Sequence, residues 1–474
     1  MMRLAPSVAA LLLLASGVTT VCFAAETDGS DPEAIKRGAY LATASDCGAC
    51  HTTPGGLPFA GGLPITSPVG TIFSTNITPS ISGGIGSYSE ADFARAVRKG
   101  VRKDGDNLYP AMPYTSYRLL TDADIHDLYS YFRHGVAAVD VVPRRTELPF
   151  PMNIRLSMIG WNLLFLSSGG FVADPNQSAD WNRGSYLANG PAHCSTCHTP
   201  RGFLMQELSG QNLAGGQVGP WFAPNITSDA TSGIGSWTQQ ELAQYLHTGS
   251  LPPKARAAGS MGEAVEHSFQ YLTAADIAAI ATYIRTIPAI HDASDSQSRF
   301  AYGTAGSTLG TLRGANGVRS DTGASPTGAE LFLSNCASCH AWRGEGSKDD
   351  YYPSLFHNSV TGSANPDNLI ATILYGVDRK IASGQAYMPG FGGDRADSNQ
   401  LGDHEIVLLA NYVLEQYGRV SKPVTPDDVA MARQGGPPSQ LVLLARIGLA
   451  AAAVVFLLLV ALLVFRTTRR RKPA

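Results

Sequence analysis

Cys47-Gly48-Ala49-Cys50-His51 recurs as Cys194-Ser195-Thr196-Cys197-His198 and again as Cys336-Ala337-Ser338-Cys339-His340. The chain holds 7 Cys and 11 His in 474 residues. Chance placement gives about 0.002 occurrences of CxxCH, the spacing that marks c-type haem attachment. Two thiols three residues apart reach the two vinyl groups on one edge of a haem, and the imidazole that follows turns beneath the ring to ligate iron. The pattern therefore assigns one covalent haem c to Cys47, Cys50 and His51, one to Cys194, Cys197 and His198, and one to Cys336, Cys339 and His340. A zinc half-site or a redox dithiol competes as a reading of any single CxxCH. Zinc takes four ligands, and three motifs so far apart in sequence are no obvious partners for one ion.

The ends place the body. Residues 1–24 carry one cation, Arg3, an apolar run through Val21 and a small residue at Ala24, which predicts a secretory signal cleaved before Ala25. Lipidation at Cys22 is disfavoured because Val21 stands where a small residue is wanted. Six cysteines then remain, all inside the motifs, with no structural disulfide to propose. Residues 447–465 run without a charge and are long enough to cross a hydrocarbon core. Arg466, Arg469, Arg470, Arg471 and Lys472 follow and are expected on the cytoplasmic side. The expectation is a body on the periplasmic side of the inner membrane, held by one C-terminal span.

A net charge of −3 hides an asymmetry, since residues 26–438 hold 28 basic against 38 acidic side chains. Such a surface repels phosphates and excludes nucleic acid as a partner.

The body is repetitive. Asn76-Ile77-Thr78, Gly84-Ile85-Gly86-Ser87 and Gly100 return as Asn225-Ile226-Thr227, Gly233-Ile234-Gly235-Ser236 and Gly249, all at an offset of 149. Leu120, Ile125, Leu128 and Tyr131 return as Leu401, Ile406, Leu409 and Tyr412 at an offset of 281. Units are thus expected at 30–139, 176–287 and 328–420. Each is predicted to open with a helix carrying a glycine at its crossing point (Gly38, Gly184 or Gly328), to hold a short middle helix, and to end on a closing helix with acidic residues in its first turn. Between these helices Gly, Pro, Ser and Thr predict loop-rich haem pockets. The 140–175 linker is too apolar to be free, so packing between the first two units is expected, with a partner or membrane surface as the alternative. The 288–327 linker, rich in Gly, Ser, Ala and Thr, predicts a mobile or surface-hugging connector.

Iron held by one histidine needs an open face or a second ligand, and methionine makes an electron carrier of raised potential. Met112 and Met261 stand at the repeat offset of 149, and Met388 lies in Tyr387-Met388-Pro389-Gly390. All three are expected axial ligands in the loop before the closing helix. His267 rivals Met261 but has no counterpart in the other units; Met152, Met158 and Met205 lie outside that loop, and His193 is read as a pocket or surface residue. Three His/Met irons leave no open site, and no nucleotide-binding glycine motif or Ser/His/Asp set appears. No catalytic residue is expected on this chain, and electron transfer is the predicted activity.

Together with these motifs, Pro58-Phe59-Ala60-Gly61-Gly62, Ser74-Thr75-Asn76-Ile77-Thr78-Pro79, Tyr109-Pro110-Ala111-Met112-Pro113-Tyr114 and Pro149-Phe150-Pro151-Met152-Asn153 resemble the three-haem cytochrome c subunit of membrane-bound, quinone-reducing alcohol, sugar or aldehyde dehydrogenases of acetic acid bacteria. The resemblance covers the mature chain. It implies an all-α fold of three tandem class I cytochrome c domains with a C-terminal transmembrane helix. It also implies a flavin, pyrroloquinoline quinone or molybdenum dehydrogenase subunit as partner, with a small subunit alongside, and ubiquinone as acceptor. A donor to a terminal oxidase, or a haem enzyme acting on a small substrate, are the competing functions.

Overall fold

The computed structural model describes residues 31–306, 326–393 and 399–470. The expected signal at 1–24, residues 307–325 of the second linker, and Arg471 and Lys472 lie outside the described residues.

Three helical units follow one another. Their opening helices are Pro32–Ala44, Ala179–Asn189 and Gly328–Asn335, and each is capped by a side-chain oxygen, from Asp31, Ser178 or Thr327. Each leads into a short motif helix: Cys47–His51, Cys194–His198 and Ala337–His340. Middle helices span Glu90–Lys99, Gln239–Thr248 and Asp367–Tyr375. In the first two, capping boxes (Ser89 with Asp92, Thr238 with Glu241) start the helix, and Gly100 and Gly249 in the left-handed region stop it. Closing helices span Asp122–Ser130, Ala274–Ile284 and Asp403–Tyr417.

The opening and closing helices meet at a glycine in every unit. A Cβ on Gly38 would stand 1.9 Å from the carbonyl oxygen of Asp127, on Gly184 1.9 Å from that of Ala279, and on Gly328 2.4 Å from that of Leu408. Backbone touches backbone there, an approach that any Cβ would block.

Among the described residues four two-stranded antiparallel hairpins interrupt the loops: Pro64–Ser67 with Gly70–Phe73, Gly216–Val218 with Trp221–Ala223, Ser250–Leu251 with Ala255–Arg256, and Val377–Ile381 with Gly384–Met388. They are too short to change the class, and the fold is all-α. A further helix, Pro426–Arg433, was outside the sequence expectation; it adds Val429 and Ala432 to the core of the third unit.

Units one and two share one continuous apolar core, whereas unit three has its own. Polar contacts across the first pair are reciprocal. The Tyr40 hydroxyl donates to Asp276 at 2.6 Å, and its counterpart Tyr186 donates to Asp124, the counterpart of Asp276. Unit three docks on unit two through a buried arginine: Arg379 Nη1 donates to the Ala257 carbonyl at 2.5 Å, and the guanidinium lies against Gly249.

The 140–175 linker does two things at once. Its helix, Ser157–Phe165, joins units one and two, since Asn162 accepts from the Tyr114 hydroxyl at 2.8 Å and Trp161 Nε1 donates to the Leu204 carbonyl at 2.9 Å. Its Leu163 and Leu164 nevertheless stay 85% and 68% exposed. The described part of the second linker hugs the surface: Arg299 donates to the carbonyls of Ser232 and Asn225, and Phe300 packs on Trp237.

At the C-terminus a helix runs Leu441–Arg470, starting six residues before the uncharged run because Gln440 already accepts from the Leu444 N–H. Its Leu441–Arg466 stretch is long and apolar enough to cross a membrane, and none of its most apolar window is buried in the body.

Gly184→Val should destabilise the folded protein by about 3 kcal/mol by forcing the helices apart. Gly210→Ala, where an added Cβ meets nothing within 4 Å, should change stability by less than about 0.5 kcal/mol. Thermal melts of the haem-loaded protein measure both.

Candidate functional site

The three motifs are built alike. In units one and two the residue before the first cysteine, Asp46 or His193, adopts the left-handed conformation (φ 52 and 37), which turns the chain sharply from opening helix to motif helix. In unit three Cys336 itself forms the joint between the helices. One helical turn between the cysteines places both thiols on one face. All six described cysteines are free of disulfides. Loss of water around the thiols pushes Cys47, Cys194 and Cys336 up to about 12. That is the opposite of a redox-active CxxC thiol, whose surroundings favour the thiolate.

The histidines are oriented by backbone carbonyls. Nδ1 of His51 lies 2.6 Å from the Thr75 oxygen, that of His198 2.7 Å from the Pro224 oxygen, and that of His340 2.9 Å from the Pro353 oxygen. A carbonyl only accepts, so Nδ1 carries the proton and Nε2 keeps its lone pair. Burial lowers the pKa of all three imidazoles, outweighing the carbonyl that raises it, and so favours the neutral form that binds metal.

Sequence reasoning missed these carbonyls, although the repeated Asn-Ile-Thr pointed to them. Thr75 and Pro224 directly precede Asn76 and Asn225. Asn76 Nδ2 donates to the carbonyls of Val139 and Val141, Asn225 Nδ2 to that of Ile290, and each Oδ1 accepts from the threonine two residues on. The clamp fixes the peptide whose carbonyl aims the histidine. In unit three Asn358 plays the part by donating to the Ser354 carbonyl, next to Pro353. Two thiols on one face and a neutral imidazole with a free Nε2 form the donor set that a covalent haem requires, so the residues present fit the group.

The methionines occupy different local structures. Met112 ends a tight turn from Tyr109, Met261 sits in the first turn of the helix Gly259–His267, and Met388 closes the strand Gly384–Met388. The expectation of one common loop is thus met only by Met112. All three side chains nonetheless pack on the apolar core of their units. His267, at the far end of the helix that carries Met261, is exposed. His193 is a pocket residue: half-buried, it packs against the Tyr117 ring at 5.7 Å, and loss of water around it lowers its pKa to about 4.

The helix Gly259–His267 lies between units, touching both the Cys47–His51 helix and the strand Val377–Ile381. Beyond the effect of burial, its Glu263 bears electrostatically on Asp46 and Cys50. The second unit therefore stands between the other two.

Comparison with known proteins agrees with this geometry. The family described as cytochrome c matches residues 35–135, 182–288 and 325–416. The chain is 47% identical over 419 residues to the fructose dehydrogenase cytochrome subunit of Gluconobacter japonicus, covering 88% of this chain and 86% of that one. It is 37% identical over 427 residues to the cytochrome c subunit of alcohol dehydrogenase (quinone) of Gluconacetobacter polyoxogenes, with 87% of each chain covered. To the gluconate 2-dehydrogenase cytochrome c subunit of Pantoea cypripedii it is 37% identical over 447 residues, covering 89% and 95%.

The reciprocal contact between units one and two gives a pH signature. Burial alone would raise the Asp276 pKa, but hydrogen bonds from Arg183 (2.8 Å) and Tyr40 outweigh it and hold the carboxyl below its ordinary value. A depressed folded-state pKa contributes stability that is present above the unfolded value, about 3.9, and is lost as pH falls through the folded one. Melting temperature against pH should therefore fall less steeply below about pH 4 in Asp276→Asn than in the natural protein.

Proposed function

The chain belongs to the cytochrome c family, with all three of its units matched, and on that premise we propose that it is the electron-transfer subunit of a quinone-dependent dehydrogenase complex. The observation that carries this reading is the set of three CxxCH sites, each with an imidazole aimed by a backbone carbonyl, linked in one body that ends in a membrane-length helix. A haem bound at each site supplies a one-electron iron couple. The protein's own part is to attach it through Cys47 and Cys50, Cys194 and Cys197, and Cys336 and Cys339, and to hold the His51, His198 and His340 imidazoles in the ligating tautomer.

Met112, Met261 and Met388 complete the three irons. Their packing on the core and the exposure of His267 support this over the histidine rival. With a histidine and a methionine to hold each iron, none would be left open to a substrate. Oxidation then belongs to a partner, as the names of the relatives suggest: they differ in substrate (fructose, alcohol, gluconate) and share the cytochrome subunit. The partner is of flavin, pyrroloquinoline quinone or molybdenum type, with a small subunit alongside. Electrons leave to ubiquinone in the inner membrane, with the haem units on the periplasmic side and the Leu441–Arg466 helix as the anchor. The test of this reading is substrate-driven reduction of a ubiquinone analogue by the purified complex.

Changing Met112, Met261 or Met388 to Ala should each remove one low-spin His/Met signal of the three and open that iron to carbon monoxide. An unchanged spectrum overturns the assignment for that methionine. Ending the chain at residue 438 should release the haem-loaded body without detergent, whereas persistent membrane binding would place the main anchor elsewhere.

A further inference from the structure

An apolar cleft of about 450 Å³ opens where the C-terminal helix leaves the body, with Pro151, Met152, Ile154 and Leu156 on one side and Ala445 and Leu449 on the other. Its volume falls in the range of about 300–1,000 Å³ usual for small-molecule sites. One wall belongs to the helix long and apolar enough to cross a membrane. The opposite wall belongs to the linker stretch that Arg446 pins to that helix by donating from Nε to the Phe150 carbonyl at 2.8 Å.

The linker wall is also bound to the first unit at its methionine turn. The Tyr109 hydroxyl donates to the Met152 carbonyl at 2.8 Å, and the Tyr109 carbonyl accepts from the Met112 N–H. Arg155 lies over the Tyr109 ring at 4.6 Å and donates to the Asn107 carbonyl at 2.8 Å. Cleft wall and methionine turn thus form one hydrogen-bonded piece. On the reading of the previous section, which this inference deepens, an electron carrier reaches the membrane surface here.

We propose that the cleft between residues 151–156 and 445–449 is the docking site for the ring of membrane ubiquinone, and that the first unit is the electron donor. Alkyl and thioether walls suit a substituted benzoquinone, and the membrane-length helix gives its isoprenoid tail a path into the bilayer. Each quinone gains two electrons and two protons to become quinol. The electrons come singly from substrate oxidised on the partner subunit and relayed through the haem units, and the protons come from water at the mouth of the cleft.

The test uses the membrane-bound complex with Ile154→Trp and Leu449→Trp, which fill the cleft, and Leu458→Trp, farther along the helix, as the control. Substrate-driven reduction of a short-tailed ubiquinone analogue should fall at least about tenfold in the first two, as overpacking a site requires. Reduction of ferricyanide, which takes electrons from the soluble surface, should stay within about twofold in all three, a change too small to signal a folding defect. A photoactivated azido-ubiquinone should label residues 150–157 or 441–449 of the unaltered complex. Undiminished quinone reduction in both cleft variants, or labelling elsewhere, overturns the cleft while leaving the electron-transfer reading intact. Labelling of these segments by a photoactivated phospholipid alone, or their crosslinking to the dehydrogenase subunit, also overturns it. Failure of the unaltered complex to reduce the analogue while it reduces ferricyanide overturns both readings.

Discussion

The hydrogen bond from an imidazole Nδ1 to a backbone carbonyl sets the chemistry of each unit. It fixes the tautomer, leaves the Nε2 lone pair free for a metal, and holds the ring at one angle. The surroundings serve that bond. An asparagine clamp immobilises the accepting peptide in units one and two, and Asn358 does so in unit three. The helix crossing at Gly38, Gly184 or Gly328 sets where the motif helix begins, and so where the histidine starts from. Loop-rich pockets tolerate this precision because a haem adds apolar surface to the modest core of a unit of about a hundred residues.

The two junctions between units have different chemistry. Units one and two merge their cores and exchange tyrosine hydroxyls for aspartate carboxylates. Unit three keeps its own core and meets unit two largely through polar groups, with Asn368 bonded both ways to the Phe222 backbone and Arg379 inserted against Gly249. Burial lowers the pKa of Arg379, and its Nη1 bond to the Ala257 carbonyl, four residues before Met261, is part of what compensates a guanidinium removed from water. The same strand pairs with the one that ends on Met388. A single side chain therefore couples the methionine hairpin of unit three to the methionine segment of unit two.

What was legible in the sequence followed from spacing. The motifs, the 149-residue register and the helical faces of Leu120, Ile125 and Leu128 gave the three units and the all-α class. The starts of the closing helices were legible from acidic residues in their first turns, and Thr425 with Asp427 and Asp428 at the start of Pro426–Arg433 carried a similar signal. The hairpins were not legible, because strands of two to five residues among glycines and serines offer too few alternations to separate from loop. Backbone acceptors carry no residue signature, so the carbonyls of Thr75, Pro224 and Pro353 appear only in three dimensions. The register placed Met261 but not its helix, since the offset reports position and not conformation. The dual character of 140–175 was hidden for a related reason: composition gives the apolarity of a segment, not which side chains find neighbours.

The swapped pair, Tyr40 on Asp276 and Tyr186 on Asp124, has the symmetry of two identical subunits placed face to face. Two separate copies would have to find each other by diffusion, and their pairing would vanish on dilution. Joined in one chain, each meets the other at an effective concentration near the millimolar range. An association worth only about 4 kcal/mol then suffices to keep the faces together. Tandem duplication thus converts a concentration-dependent dimer into a permanent one, and leaves the two halves free to acquire different neighbours: the linker and membrane helix for the first, the third unit for the second.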